Sequence, residues 1–253
     1  MKVFEICFSP TGGTKNVLEA LDSGLADERE FVDLTDGKTK FSDASVGKDD
    51  IAVIAVPSYG GRVPYPAVER LAEIRGNGAK AVLLCVYGNR AYEDTLAELQ
   101  DTAKQAGFCI VAAVAAIAEH SIAREFAAGR PDGEDIEKLR EFADKIKEKI
   151  GAGNSSEPEI PGNRPYKKRG GSGMVPKLTE ECVQCGLCAK KCPVQAISLN
   201  DPKEVDGSKC ISCMRCVYIC PHSARKVNSD MLEGVRAMLK KVCLDRKEAE
   251  LFI

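Results

Sequence analysis

Cys182, Cys185, Cys188 and Cys192 are followed directly by Pro193, and Cys210, Cys213, Cys216 and Cys220 directly by Pro221. Two residues between successive cysteines let the chain curl around one metal corner, so that three thiolates face a common centre. The fourth stands beside a proline, which resists helix continuation, and points outward. This C-x2-C-x2-C-x3-C-P spacing is one that ligates [4Fe-4S] cubanes, and two such runs predict two clusters. Paired C-x2-C units also make tetrahedral zinc sites. Zinc would need only two such pairs per site, leaving the third cysteine of each triplet and the repeated Cys-Pro unexplained. A disulfide framework is disfavoured, because no signal peptide precedes the cysteines and lasting disulfides belong to oxidising compartments.

A second chemical stretch lies near the start of the chain. Val3 to Phe8 reads as a buried strand that runs into Ser9-Pro10-Thr11-Gly12-Gly13-Thr14, and Lys15 to Leu25 then has helical spacing through Val17, Leu18, Leu21 and Leu25. A hydroxyl-rich glycine loop in this position lets backbone N–H groups converge on an anion at a helix N-terminus, where the macrodipole also favours negative charge. A phosphate can be held there with little help from lysine. The loop is neither a Walker loop nor the G-x-G-x-x-G of dinucleotide sites. By itself such a turn can also be only a helix cap.

The elements that must position these residues follow a regular pattern. Phe31 to Leu34 and Ile51 to Val56 read as the second and third strands, the latter ending at Pro57-Ser58-Tyr59-Gly60-Gly61-Arg62-Val63-Pro64. Glycines there permit positive φ and close approach of a planar ligand, and Tyr59 offers an aromatic face or a cover for the core edge. Ala79 to Tyr87 is a fourth strand, ending at Gly88-Asn89-Arg90-Ala91-Tyr92. A helix to about Gly107 and a fifth strand, Phe108 to Ala118, come next. Glu119-His120-Ser121 and Gly129-Arg130-Pro131-Asp132 precede an amphipathic helix from Asp135 to Ile150. Five strands alternating with helices predict a doubly wound parallel sheet, with its ligand outside the carboxyl ends of strands one and three.

Residues 1–150 carry 19 Lys and Arg against 26 Asp and Glu, whereas residues 151–253 carry 17 against 12. Some of the basic excess is expected to offset the negative charge of thiolate-bound clusters, and it is weak evidence for a nucleic-acid partner. From Gly151 to Pro176 hydrophobic periodicity gives way to Gly, Ser, Pro and charge, with a basic cluster at Arg164 to Arg169 that could be solvated or dock on the acidic half. The expected organisation is a domain over 1–151, a linker over 152–176 and a second domain over 177–253. The last of these closes with a helix from Asp230 that is expected to pack on it. Phe108 to Ala118, the longest apolar run, is too short for a membrane span, so a soluble, cytoplasmic protein is expected. Cys7, Cys85 and Cys109 fall in strands, as small buried hydrophobes do.

The loop Ser9 to Thr14 meets every position of the T/S-x-T-G-x-T phosphate loop of the flavodoxins, which it resembles. That resemblance implies FMN, with contacts from Ser9, Thr11, Gly12, Gly13 and Thr14, from Pro57, Ser58, Tyr59, Gly60, Gly61 and Arg62, and from Tyr87, Gly88, Asn89 and Tyr92. His120 is added from the end of the fifth strand. It also implies that a peptide at Tyr59-Gly60 or Gly60-Gly61 flips to meet reduced N5. The cysteine runs resemble those of bacterial ferredoxins, in which the fourth cysteine reaches across to the other cluster. One set would then be Cys182, Cys185, Cys188 and Cys220, and the other Cys210, Cys213, Cys216 and Cys192.

Over nearly its full length the chain is similar to the flavodoxin/ferredoxin fusions called the EFR1 family, widespread in anaerobes. The resemblance implies a flavodoxin-like doubly wound parallel five-stranded sheet followed by a small α+β bacterial 2[4Fe-4S] ferredoxin domain. It implies electron transfer between two [4Fe-4S] clusters and FMN, within one chain or across a homodimer, and on to an unidentified redox protein or small-molecule acceptor. The alternative is an FMN-dependent reductase of an organic substrate fed by the ferredoxin domain, with Tyr59, Tyr92 or His120 as proton donor. No nucleic-acid or membrane partner is expected, and no nicotinamide fingerprint is present.

Overall fold

A computed structural model describes residues 2–25, 28–170 and 173–253. Met1, Ala26 and Asp27 of the expected first domain, and Gly171 and Ser172 of the expected linker, lie outside the described residues. Alternation along the first strand, β1 (Val3–Cys7), builds two cores: Phe4 and Ile6 enter one, Val3 and Cys7 the other. Beside it lie β2 (Arg29–Asp33) and β3 (Ile51–Pro57), followed by β4 (Lys80–Tyr87) and β5 (Cys109–Ile117). All pair in parallel in the order β2-β1-β3-β4-β5. Strands β3 and β4 are apolar on both faces because helices cover both.

One face is covered by α1 (Gly13–Asp22), through Val17, Leu18 and Leu21, and by α4 (Gly133–Gly151), through Leu139, Phe142 and Ile146. The other is covered by α2 (Tyr65–Glu73) and α3 (Thr95–Gln105), through Leu71, Leu96 and Leu99. Each such buried leucine contributes about 1.5–3 kcal/mol. Helix α4 starts two residues before the expected Asp135. Asp132 accepts the N–H groups of Glu134 and Asp135, while the Asp135 carboxylate accepts that of Asp132, a reciprocal cap. The strand order reverses between β1 and β3, and this flavodoxin-like switch opens a crevice at the carboxyl ends of those strands.

The cysteine-rich part is a two-fold repeat with an offset of 28 residues. Strands β6 (Lys177–Leu178) and β7 (Arg225–Lys226) pair antiparallel, and short helices α5 (Leu187–Lys190) and α6 (Arg215–Tyr218) each sit inside a cysteine run. Positive φ recurs at matching places, Gln184 with Ser212, Gly186 with Met214 and Gln195 with Ser223. Equal spacing therefore produces equal backbone geometry around each run.

Two expectations need correction. Helix α7 (Ser229–Leu239), capped by the Asn228 side chain on the Met231 N–H, packs Leu239 and then Cys243 against Ala123 and Phe126 of the first domain rather than on the ferredoxin module. The sheet has six strands, because β8 (Glu250–Phe252) joins β5 antiparallel, with Ala113 opposite Phe252. An edge strand presents unpaired N–H and C=O groups, and the returning tail covers those of β5.

Residues 154–170 form no regular element, yet they are held to the first domain. Asn163 and Lys167 donate backbone N–H groups to Asp94 at 2.8 and 2.7 Å, and Arg164 bonds Asp101 at 2.8 and 2.9 Å. Arg164, Lys167 and Arg169 of the basic cluster thus pair with acidic groups of the first domain while staying partly in solvent. Among the described residues no helix is long and apolar enough to cross a membrane.

Candidate functional site

The eight cysteines line two separate cages. Cys182, Cys185, Cys188 and Cys220 surround one, and Cys192, Cys210, Cys213 and Cys216 surround the other. Each fourth cysteine lines its neighbour's cage, and α5 and α6 pack together between the two runs. The Ala196 N–H donates to Cys192 Sγ and the Ala224 N–H to Cys220 Sγ, both at 3.3 Å, so each crossing sulfur already receives a backbone hydrogen bond. Burial pushes the thiols of Cys213 and Cys216 up to about 12. They are protonated in the metal-free chain, and metal charge must drive their deprotonation. Four sulfurs around one apolar cavity, with N–H donors aimed at sulfur, fit a cubane.

A cleft of about 610 Å3 opens at the switch point. From the first loop it receives Thr11, Gly13 and Thr14, from the loop after β3 Pro57, Ser58, Tyr59 and Gly60, and from the end of β4 Tyr87 and Gly88; His120 completes the group. Ser9 and Gly12 sit behind the first loop. Ser9 Oγ accepts the Lys15 N–H at 3.0 Å, and Gly12, at φ 91°, turns the chain into α1. The loop after β3 is a tight hairpin in which Tyr59 and Arg62 exchange both backbone hydrogen bonds, with Gly60 and Gly61 at φ 61° and 81°. An anion at the first loop and a planar ring along the hairpin fit this cleft.

Three of the residues implied as flavin contacts have their side chains engaged by the protein itself. Arg62 forms a two-toothed pair with Glu98, at 2.8 Å for both nitrogens, and lies over the Tyr166 ring. Asn89 is buried and donates to the carbonyls of Cys243 and Asp245 at 3.2 and 2.9 Å, clamping the returning tail. Tyr92 packs its ring at a tilt against Tyr87 and donates its hydroxyl to Glu250 of β8. At Gly61 the side on which a Cβ would stand is filled by the Glu93 side chain. Their partners lie up to 158 residues away, beyond the reach of local pattern.

His120 Nδ1 accepts the N–H groups of Ile122 and Ala123 at 3.2 and 3.1 Å, which leaves the ring proton on Nε2. Burial lowers its pKa, so the ring is neutral at neutral pH. Its ring packs on Gly88, where an added Cβ would meet Cδ2 at 2.5 Å. Tyr59 is pushed well above the ordinary phenol value by burial, with the neighbouring Cys213 adding to it.

The opposite wall of the cleft was not foreseen. Arg169 and Met174 of the linker, Lys209 to Ser212 of the cysteine-rich part and Val235 of α7 close over the loops. Cys210, Ile211 and Ser212 line both this cleft and the second cage. The docking is held by Arg215, which donates to the Pro10 carbonyl at 2.9 Å, and by Arg70, which reaches the carbonyls of Leu34 and Pro193. The basic run at 164–169 was the one signal in the sequence for such a closure.

Residues 181–224 match the 4Fe-4S dicluster domain family. Over 55 residues the chain is 38% identical to Ferredoxin-2 of Chlorobaculum tepidum, a match covering 19% of this chain and 89% of that protein. It is 42% identical over 55 residues to a ferredoxin-like protein in the nif region of Azotobacter vinelandii, covering 19% of this chain and 60% of that relative. Among solved structures, the Streptococcus pneumonia TIGR4 flavodoxin aligns with 59% of this chain and 99% of its own, at 21% identity and a TM-score of 0.41. The strand order, not that score, carries the fold.

Proposed function

The chain belongs, through residues 181–224, to the 4Fe-4S dicluster ferredoxin family, joined here to a flavodoxin-like domain, and on that premise we propose an electron-transfer iron-sulfur flavoprotein. It would hold two [4Fe-4S] clusters and one FMN and exchange electrons with a redox protein or small-molecule acceptor. The observation carrying this reading is the shared wall: Cys210 to Ser212 border both the second cage and the cleft. Cubanes exchange one electron at a time and a flavin one or two.

The residues have distinct tasks in this reading. The backbone of Thr11 to Thr14 would bind the phosphate, helped by the positive end of α1. Tyr59 would lie along the ring. Both backbone groups of Tyr59 are bonded to Arg62, so the Gly60-Gly61 peptide is the one left to meet N5. The wall from Arg169 to Val235 would exclude water.

Protein purified and reconstituted without oxygen is expected to contain about eight iron atoms and one flavin per chain. On mixing with a low-potential one-electron donor, cluster and flavin absorbance should bleach in linked phases. Eight irons without flavin would remove the flavoprotein reading, and zinc in place of iron would remove the cluster reading.

A further inference from the structure

The 28-residue repeat makes the two cages comparable position by position. Ile197, five residues after Cys192, lines the cage of Cys192, Cys210, Cys213 and Cys216. Its counterpart, five residues after Cys220, is Arg225, which lines the other cage. Arg225 is 1% exposed. One of its terminal nitrogens donates to the Pro176 carbonyl at 3.1 Å, while the other reaches the Pro202 carbonyl and lies 3.8 Å from Cys188 Sγ. Its Nε has no hydrogen-bond partner among the described residues, and no Asp or Glu among them pairs with it.

An arginine is always charged, and an unpaired buried charge costs several kcal/mol. Two carbonyls do not neutralise it. Four thiolates on a cubane carry net negative charge, which increases on reduction, so a cluster in this cage is the anion that the guanidinium lacks. Charge and N–H···S hydrogen bonds are among the factors that set cluster potentials. A cation against one cage stabilises its reduced form more than its oxidised form.

We propose that Arg225 raises the reduction potential of the cluster of Cys182, Cys185, Cys188 and Cys220, against whose cage its unpaired guanidinium is buried. Cys185, in this cage, is exposed. The proposal rests on the cluster reading alone and does not need FMN.

The test is an anaerobic redox titration followed by EPR, with signals assigned by the one that Cys185→Ser alters. Arg225→Ile, which copies the first repeat, should lower the potential of that cluster enough to change electron partition between the two at least tenfold, 59 mV for a one-electron couple. Arg225→Lys should retain part of the difference. Unchanged potentials, or a shift confined to the other cluster, would overturn the proposal. Should Arg225→Ile not fold, unsubstituted protein grown with 15N-arginine supplies the answer: ENDOR should show nitrogen coupling on the Cys185-sensitive signal that Arg225→Lys removes. Coupling that survives Arg225→Lys, or is absent from the start, overturns it. A preparation that binds no clusters overturns both this and the cluster reading, whereas two intact clusters with unmoved potentials overturn this alone.

Discussion

Glu98 is the residue whose removal should be felt furthest. Its carboxylate is 4% exposed and accepts both nitrogens of Arg62, the Val63 N–H at 2.8 Å and Arg169. It therefore joins α3, the hairpin that walls the cleft and the linker that closes over it. Glu98→Ala would strand the Arg62 guanidinium, whose side chain is only 12% exposed. Breaking a buried pair from one side costs about 3–5 kcal/mol. Arg169 is 36% exposed, so solvent screens its share, and Arg169→Ala should cost about 1 kcal/mol or less. At roughly 2–4 °C per kcal/mol for a chain of this size, Glu98→Ala should lower the Tm of the first unfolding transition by about 6–20 °C. Trypsin should also cut faster after Lys167, Lys168 and Arg169, because the strap loses its anchor. Calorimetry and timed digestion of the holoprotein, with Arg169→Ala alongside, make the comparison. A loss under about 1 kcal/mol with unchanged cleavage would show that the network does not hold the hairpin.

Three further outcomes are expected. Cys220→Ser should alter the same EPR signal as Cys185→Ser, and Cys192→Ser the same signal as Cys213→Ser; the opposite pairing would reject crossed ligation. Asp22, fully buried between Glu5 and Arg29, is pushed up from 3.8 to about 8, by burial first and then by Glu5. A carboxyl raised in the folded state binds more protons there than when unfolded, so its contribution is full below about 4 and is lost as pH rises through about 8. Asp22→Asn should flatten that decline in urea unfolding free energy, and an unchanged slope would discount Asp22. Gly88→Ala would drive a Cβ into the His120 ring, costing about 1–3 kcal/mol, and should weaken FMN retention on gel filtration; full retention would place His120 outside the binding wall.

The two cysteine cages and the hydroxyl-rich glycine loop were legible in the sequence for one reason. Within each cysteine triplet, and from Ser9 to Thr14, the groups that act together are a few residues apart, so spacing alone makes them converge. The five parallel strands were legible too, since a strand buried on both faces must be apolar throughout, as β3 and β4 are. What the tertiary structure alone decided are pairings between distant residues. The pairings of Arg62 with Glu98 and of Tyr92 with Glu250 join residues that no local pattern connects. Phe252 carried no strand signal until it met Ala113 at an open edge. The shared wall at Cys210 to Ser212 exists because Arg215 and Arg70 hold two independently legible modules in one orientation. Local spacing fixes which atoms can face one centre, but docking energy between separate surfaces leaves no period in a chain.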